Sequence, residues 1–415
     1  MSELTDLERT EAASERRLET HPDDVAALNL AALAALRRAE FVRARSLLEH
    51  AARLAPEDAD THHHLARVCE AGGDFVGALA ADELAVRLAP ARAILRLAYA
   101  SGLERHGDKE RALLHYARAI KAAQEAGQWT NAATTPAALR PRVEHAVTAV
   151  RRGQQALFHR LVAPLIASFG AAALDRIMAA TRIYVGEQQP VYPDARQRPT
   201  FFYIPGLRPS AYFDRRLFSW ISAYEQSFDA IKRELMELLP TSRGSERVFD
   251  SEELEGENLR GHGSAPSWNG YYFYRHGLRR EDNCAACPAT AAALDALPLI
   301  RIREHGPEVL FSVFTPGTHL LPHRGVTNAR VVSHLPLIVP ADCALRVGGE
   351  ERAWSEGQTL VFDDTYEHEA WNLSKQVRVV LIADVWNPHL TEVERAAVTE
   401  LIGAIGDLQA AVDKL

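Results

Sequence analysis

The sequence predicts a multidomain α + β chain, an N-terminal α-helical repeat solenoid followed by a β-rich barrel domain. Three observations carry that prediction. Prolines recur 34 residues apart at Pro22, Pro56 and Pro90, and small residues keep step with them. From residue 307 onward, short β-rich runs alternate with turn signals. Between the two regions, near Gln188-Gln189-Pro190, an alanine-rich composition gives way to aromatics and prolines.

The repeat is built on alanine. Ala32, Ala66 and Ala100 share one offset, Ala44, Ala78 and Ala112 a second, and Ala51, Ala85 and Ala119 a third. Alanine lets the two helices of a unit approach closely, and proline ends the second helix before the next begins. Gly73-Asp74 and Gly107-Asp108 occupy the turn inside a unit, where the first unit has Ala39-Glu40. This 34-residue pattern resembles the tetratricopeptide repeat, and residues 1–125 hold about three such units. The resemblance implies a groove that could recruit a peptide substrate or a partner. The plainer alternative is a self-associating or stabilising cap. His62, His63 and His64 lie on one helix, where consecutive side chains point in different directions. They are expected to line the groove or meet solvent rather than hold a metal.

Residues 126–195 form a helical connector, with Thr135-Pro136 and Arg140-Pro141 marking a helix start. Residues 214–239 read as one amphipathic helix covering a sheet. The polar, glycine- and charge-rich segment 241–267 reads as a mobile loop. Strands are expected at Val309–Phe314, Val331–Val339, Leu345–Val347, Thr359–Phe362 and Val377–Val385. That spacing suits an antiparallel jelly roll, a cupin-like double-stranded β-helix, over residues 196–415. Residues 391–413 read as a closing amphipathic helix.

Bulk properties narrow the function. At 415 residues the chain can bury two or three cores. A net charge of −8, with no basic arm, argues against nucleic acid as a partner. No apolar run has the length of a signal-peptide core or a membrane span, so a cytoplasmic protein without membrane contact is expected. Four cysteines make a poor disulfide framework for this length. Cys284-Ala-Ala-Cys287 has redox or half-zinc spacing, but with no second pair it reads as a packed turn.

The chemistry concentrates between Ser312 and Trp386. His323 stands in His-Arg-Gly, and His368 follows 45 residues later in Phe-Asp-Asp-Thr-Tyr-Glu-His-Glu-Ala-Trp-Asn. Arg378 opens an apolar run ten residues beyond. Two distant histidines followed by a strand-borne arginine suit an oxygenase using Fe(II), 2-oxoglutarate and O2. The imidazoles hold the metal, and the arginine pairs with the far carboxylate of the cosubstrate. A carboxylate usually completes such a site, yet the residue two after His323 is Gly325. Taken singly, either histidine is more often a hydrogen-bonded core residue. An arginine in an apolar strand needs a partner, either the cosubstrate or Asp363 or Asp364.

The wording of this stretch resembles the aspartyl/asparaginyl β-hydroxylase family. The shared phrases are Phe-Ser-Val-Phe-Thr-Pro-Gly-Thr-His (311–319), Pro-His-Arg-Gly-Val-Thr-Asn (322–328), His-Leu-Pro-Leu-Ile-Val-Pro (334–340), Phe-Asp-Asp-Thr-Tyr-Glu-His-Glu-Ala-Trp (362–371) and Asp-Val-Trp-Asn-Pro (384–388). With Phe-Tyr-Ile-Pro-Gly-Leu (202–207), the likeness covers roughly residues 196–400. It implies iron held by His323 and His368 with a glycine, here Gly325, in place of the acid. It also implies 2-oxoglutarate held by Arg378 and Ser312 at one end and His334 at the other. Hydroxylation of the β-carbon of an Asp- or Asn-like group would release succinate and CO2. Arg330 and Trp268 are the expected substrate contacts, with Trp371 also near the mouth.

One departure bears on the substrate. The family usually carries a second arginine where this chain has Val332, on the strand face shared by residues 330 and 334. Losing that cation keeps a peptidyl Asp, a peptidyl Asn, a free amino acid and a modified peptide all open. Two further readings stand beside the hydroxylase. One is a non-catalytic repeat scaffold with a vestigial barrel; the other is an iron halogenase with chloride in the vacant position.

Overall fold

Helix pairs recur because small side chains recur. In the computed structural model, which describes residues 2–241, 244–249, 251–261 and 266–415, the chain divides into two units. Residues 1–154 with 408–415 form one, and residues 155–407 the other.

In the first unit the pairs are Val25–Arg37 with Phe41–Leu54, Ala59–Ala71 with Phe75–Leu88, and Ala93–Arg105 with Lys109–Glu125. Aspartates cap four of these helices: Asp24, Asp58, Asp74 and Asp108 accept from backbone N–H groups of the first turn. All nine repeat alanines are buried, which is why no larger residue fits those offsets. The turns inside the units need a left-handed residue. Gly73 and Gly107 adopt φ of 83° and 88°, whereas Ala39 holds φ 60° against its own Cβ.

The histidine triplet is bound internally rather than solvated. His62 Nε2 lies 2.8 Å from the Pro56 carbonyl, His63 Nδ1 2.8 Å from Asp82 Oδ1, and His64 Nδ1 2.8 Å from Asn29 Oδ1. Burial, reinforced by His63, pushes the His64 ring down to about 4; burial and Arg96 do the same to His115. The unfolded chain therefore binds protons below pH 6.5 that the folded unit refuses until about pH 4. Stability is expected to fall as pH drops through that window, by about 1 kcal/mol per ring after allowing for residual solvent. Urea midpoints of the full chain at pH 7 and pH 5 check this. A His64→Gln/His115→Gln variant should show a smaller acid loss; an unchanged loss sinks the assignment.

Among the described residues, the second unit holds twelve strands. They are β1 (Ser245–Arg247), β2 (Leu259–Gly261), β3 (Trp268–Arg275), β4 (Leu278–Arg279), β5 (Val309–Phe314), β6 (Thr318–His323), β7 (Arg330–Ile338), β8 (Cys343–Val347), β9 (Glu350–Ala353), β10 (Leu360–Phe362), β11 (His368–Asn372) and β12 (Arg378–Trp386). Their pairings are antiparallel. One sheet runs β1-β3-β5-β12-β7-β10, with β4 on β3; the other runs β2-β6-β11-β8-β9.

Strand alternation sorts the side chains of the larger sheet onto two faces. Phe311, Val331, Leu335, Leu337, Val379, Leu381 and Ala383 pack with Ile221, Ile231, Leu235 and Leu294 from flanking helices. The intervening residues Phe314, Val332, Phe362 and Val380 pack with Leu320, Leu345, Val347 and Ala370 of the smaller sheet. That second cluster lies between the sheets, and the polar residues of interest share its face.

Two sequence expectations need correction. Residues 214–239 form two helices, Ile221–Gln226 and Phe228–Leu238, broken at Ser227. Segment 241–267, read as a mobile loop, carries β1, the helix Glu252–Asn258 and β2; its residues 242, 243, 250 and 262–265 lie outside the described residues. The closing helix is present as Glu392–Asp413. Among the described residues, no helix is long and apolar enough to cross a membrane.

Candidate active site

β6 ends and β11 begins side by side, so residues 45 apart in sequence become neighbours. His323 and His368 are paired in register, and their ring centroids are 4.0 Å apart. Each ring is oriented by a backbone carbonyl. His323 Nδ1 lies 2.8 Å from the Leu321 oxygen, and His368 Nδ1 3.1 Å from the Tyr366 oxygen. A carbonyl only accepts, so both Nδ1 atoms carry the proton and both Nε2 lone pairs are free. Burial keeps the rings neutral: His368 is pushed down to about 3, with His323 contributing, and His323 is also lowered. Neutral imidazoles with free Nε2 atoms are what a divalent metal requires. Among the described residues, no group of three or more His, Cys, Asp and Glu side chains could hold a metal ion.

The space a third ligand would use is filled by Asp364. A Cβ on Gly325 would collide with the Asp364 carboxyl group, and Gly325 N donates to the Asp364 carbonyl at 2.6 Å. Gly325→Asp is therefore expected to lower stability by about 1–3 kcal/mol through overpacking, rather than to complete a triad. A urea midpoint equal to wild type would refute this.

Behind the histidines lies a buried group of unmatched polar atoms. Arg378 is 1% exposed and makes no ion pair among the described residues. Its Nη1 donates to Ser312 Oγ at 3.3 Å and Ser312 O at 3.4 Å, while Nε has no partner. The guanidinium stacks over Phe314 at 3.7 Å and Trp354 at 4.8 Å, which offsets part of its desolvation. Burial still pushes it down to about 9. His334 Nδ1 and Trp354 Nε1 are buried and unpartnered as well. Trp268 Nε1 donates to Ser312 Oγ at 2.9 Å, leaving the serine proton free to turn inward. The rings of His334, Phe362 and His368 form a continuous series, with centroids 4.9 Å and then 5.5 Å apart. The structure thus brings His323, His368, His334, Ser312, Trp268 and Arg378 around one inter-sheet space.

Arg330 is engaged elsewhere. Its guanidinium bridges Asp364, at 2.7 Å, and Asp384. Glu308 stands behind the pair and is raised to about 7, by burial first and by Asp384 in addition. Asp363 is satisfied by Thr365 and by Gln197 at 2.6 Å. Neither aspartate neutralises Arg378. Sequence reasoning missed Trp354, which lies between β9 and β10 and has no motif around it. It also missed Asp384, whose role is visible only across the β7–β12 register that sets it beside Val332.

Comparison with known proteins places this region. A family model described as "Aspartyl/Asparaginyl beta-hydroxylase" matches residues 225–388. The "Aspartyl/asparaginyl beta-hydroxylase" of Homo sapiens is 34% identical over 176 residues, 42% of this chain but only 22% of that protein's length. The "Ornithine lipid ester-linked acyl 2-hydroxylase" of Rhizobium tropici is 33% identical over 223 residues, 53% of this chain and 73% of that one. A solved structure, "YrrB: a TPR protein with an unusual peptide-binding site", aligns at a TM-score of 0.30 and 19% identity over 45% of this chain and 82% of its own.

Proposed function

The chain belongs to the aspartyl/asparaginyl β-hydroxylase family, and from that premise we propose that it is an Fe(II)- and 2-oxoglutarate-dependent dioxygenase that hydroxylates the β-carbon of an Asp- or Asn-like group. The observation that carries this reading is the unpaired, fully buried Arg378 beside two neutral histidines. A lone buried cation is costly unless a ligand supplies the anion. Three unpartnered nitrogens, on Arg378, His334 and Trp354, surround the same space and match a small dicarboxylate with a keto group.

His323 and His368 would hold iron through Nε2. Arg378 would receive the distal carboxylate of 2-oxoglutarate, with Ser312 donating its hydroxyl and His334 meeting the other end. When bound, iron and 2-oxoglutarate together supply the oxidising power that divides dioxygen between succinate and the hydroxylated substrate, with release of CO2. The chain itself orients both groups and excludes water through Phe314, Phe362 and Val380. The two antiparallel sheets around an inter-sheet cluster support reading residues 196–415 as a double-stranded β-helix. Residues 1–125 would recruit the peptide, protein or amino-acid substrate, and 126–195 would connect the two.

Purified protein with Fe(II), 2-oxoglutarate and oxygen is expected to form succinate, even slowly and without added substrate. 2-Oxoglutarate binding should be saturable by calorimetry. Failure of both, in folded protein, would favour a scaffold.

A further inference from the structure

Among the described residues, the arginines beside the histidine pair are already engaged. Val332 is 7% exposed and packs with Phe314, Leu345 and Phe362 in the inter-sheet cluster. Arg330, two residues away on the same strand face, is already bracketed by Asp364 and Asp384, with Glu308 beyond. Arg324, next to His323, donates to the Arg196 carbonyl at 2.6 Å and pairs with Glu367 at 3.4 Å. Arg378 lies in the pocket assigned to the cosubstrate. A substrate carboxylate entering here would meet two acids already sharing one guanidinium, with Glu308 beyond them.

The same cluster leaves two polar atoms unmatched. Arg330 Nε is a buried donor with no acceptor, and Asp364 Oδ1 is a buried acceptor with no donor. A carboxylate can satisfy only the first, and it adds repulsion at the second. A carboxamide satisfies both, its oxygen accepting from Arg330 and its NH2 donating to Asp364.

We propose that Val332 and the ion-paired Arg330–Asp364–Asp384 group form a charge filter, so that the site takes a side-chain carboxamide and rejects a side-chain carboxylate. The filter rests on the oxygenase reading above and sets which of its two candidate side chains is hydroxylated. Val332 and Arg330 are specificity residues and take no part in the oxidation itself.

The test uses three peptides of identical flanking sequence with Asn, Asp or Leu at the centre. Full-length protein loaded with Mn(II) and 2-oxoglutarate is melted with each peptide to read binding. The Fe(II) enzyme is then assayed for product mass and succinate. The Asn peptide is expected to raise the melting temperature most and to exceed the Asp peptide in kcat/KM by about tenfold or more. Val332→Arg should narrow or invert that ratio. Equal or greater response to Asp, a best response to Leu, or no discrimination among the three overturns the filter. Substrate-independent succinate separates the two failures. If succinate forms but no preference emerges, only the filter falls; if neither succinate nor 2-oxoglutarate binding is seen, the oxygenase reading falls.

Discussion

His368→Ala is expected to abolish iron-dependent succinate formation, a loss of at least about a thousandfold, while the domain stays folded. The size of the effect follows from the ligand count. His323 and His368 are the two imidazoles that meet between β6 and β11, and Asp364 lies against Gly325, tied to Arg330. With no spare protein ligand at hand among the described residues, one remaining imidazole cannot retain the metal at working concentrations. The fold is spared because the His368 ring is already neutral and its hydrogen bonds are to local backbone carbonyls. Its removal opens a small cavity and strands no charge. Succinate assays, with a circular-dichroism melt beside them, check this. A residual rate within tenfold of wild type would sink the assignment of the pair.

The second large effect has opposite signs in the empty and the loaded protein. Arg378→Met is expected to weaken 2-oxoglutarate binding by about 2–5 kcal/mol, the usual consequence of removing one partner of a buried charge pair, or roughly 30-fold to several thousandfold in Kd. The same substitution should leave the ligand-free protein as stable as wild type or more stable by about 1–3 kcal/mol. The reason is that Arg378 has no counter-ion among the described residues. Arg378 faces Phe314 and Trp354, and burial pushes its guanidinium down to about 9. A structural arginine, paired with an acid, would behave in the reverse way, because its loss would orphan that acid. Calorimetry for 2-oxoglutarate and urea unfolding of ligand-free protein read the two terms separately. A destabilised ligand-free variant with unchanged binding would refute the cosubstrate role.

Much of the molecule was legible in one dimension. The 34-residue period named the helix pairs, because each pair repeats the same close contact and only alanine fits it. The strands β5, β7, β8, β10 and β12 were visible as apolar runs between turn residues. His323, His368 and Arg378 could be selected by their order and spacing. Gly325 could be singled out as a glycine where an acid is usual.

Other features depended on contacts that sequence order does not encode. The strands inside 241–267 and the internal hydrogen bonds of His63 and His64 depend on neighbours distant along the chain. Arg330 and Arg378 look alike in sequence, each a cation at the start of an apolar strand. The structure separates them. Asp364 arrives beside Arg330 from the turn after β10, and Asp384 from the paired strand β12, whereas Arg378 meets two aromatic rings and a serine. The sequence determined which charged groups the fold must bury. Only the tertiary structure decided which of them is neutralised from within, because a charge is compensated by the groups within a few ångströms of it, wherever in the chain they originate.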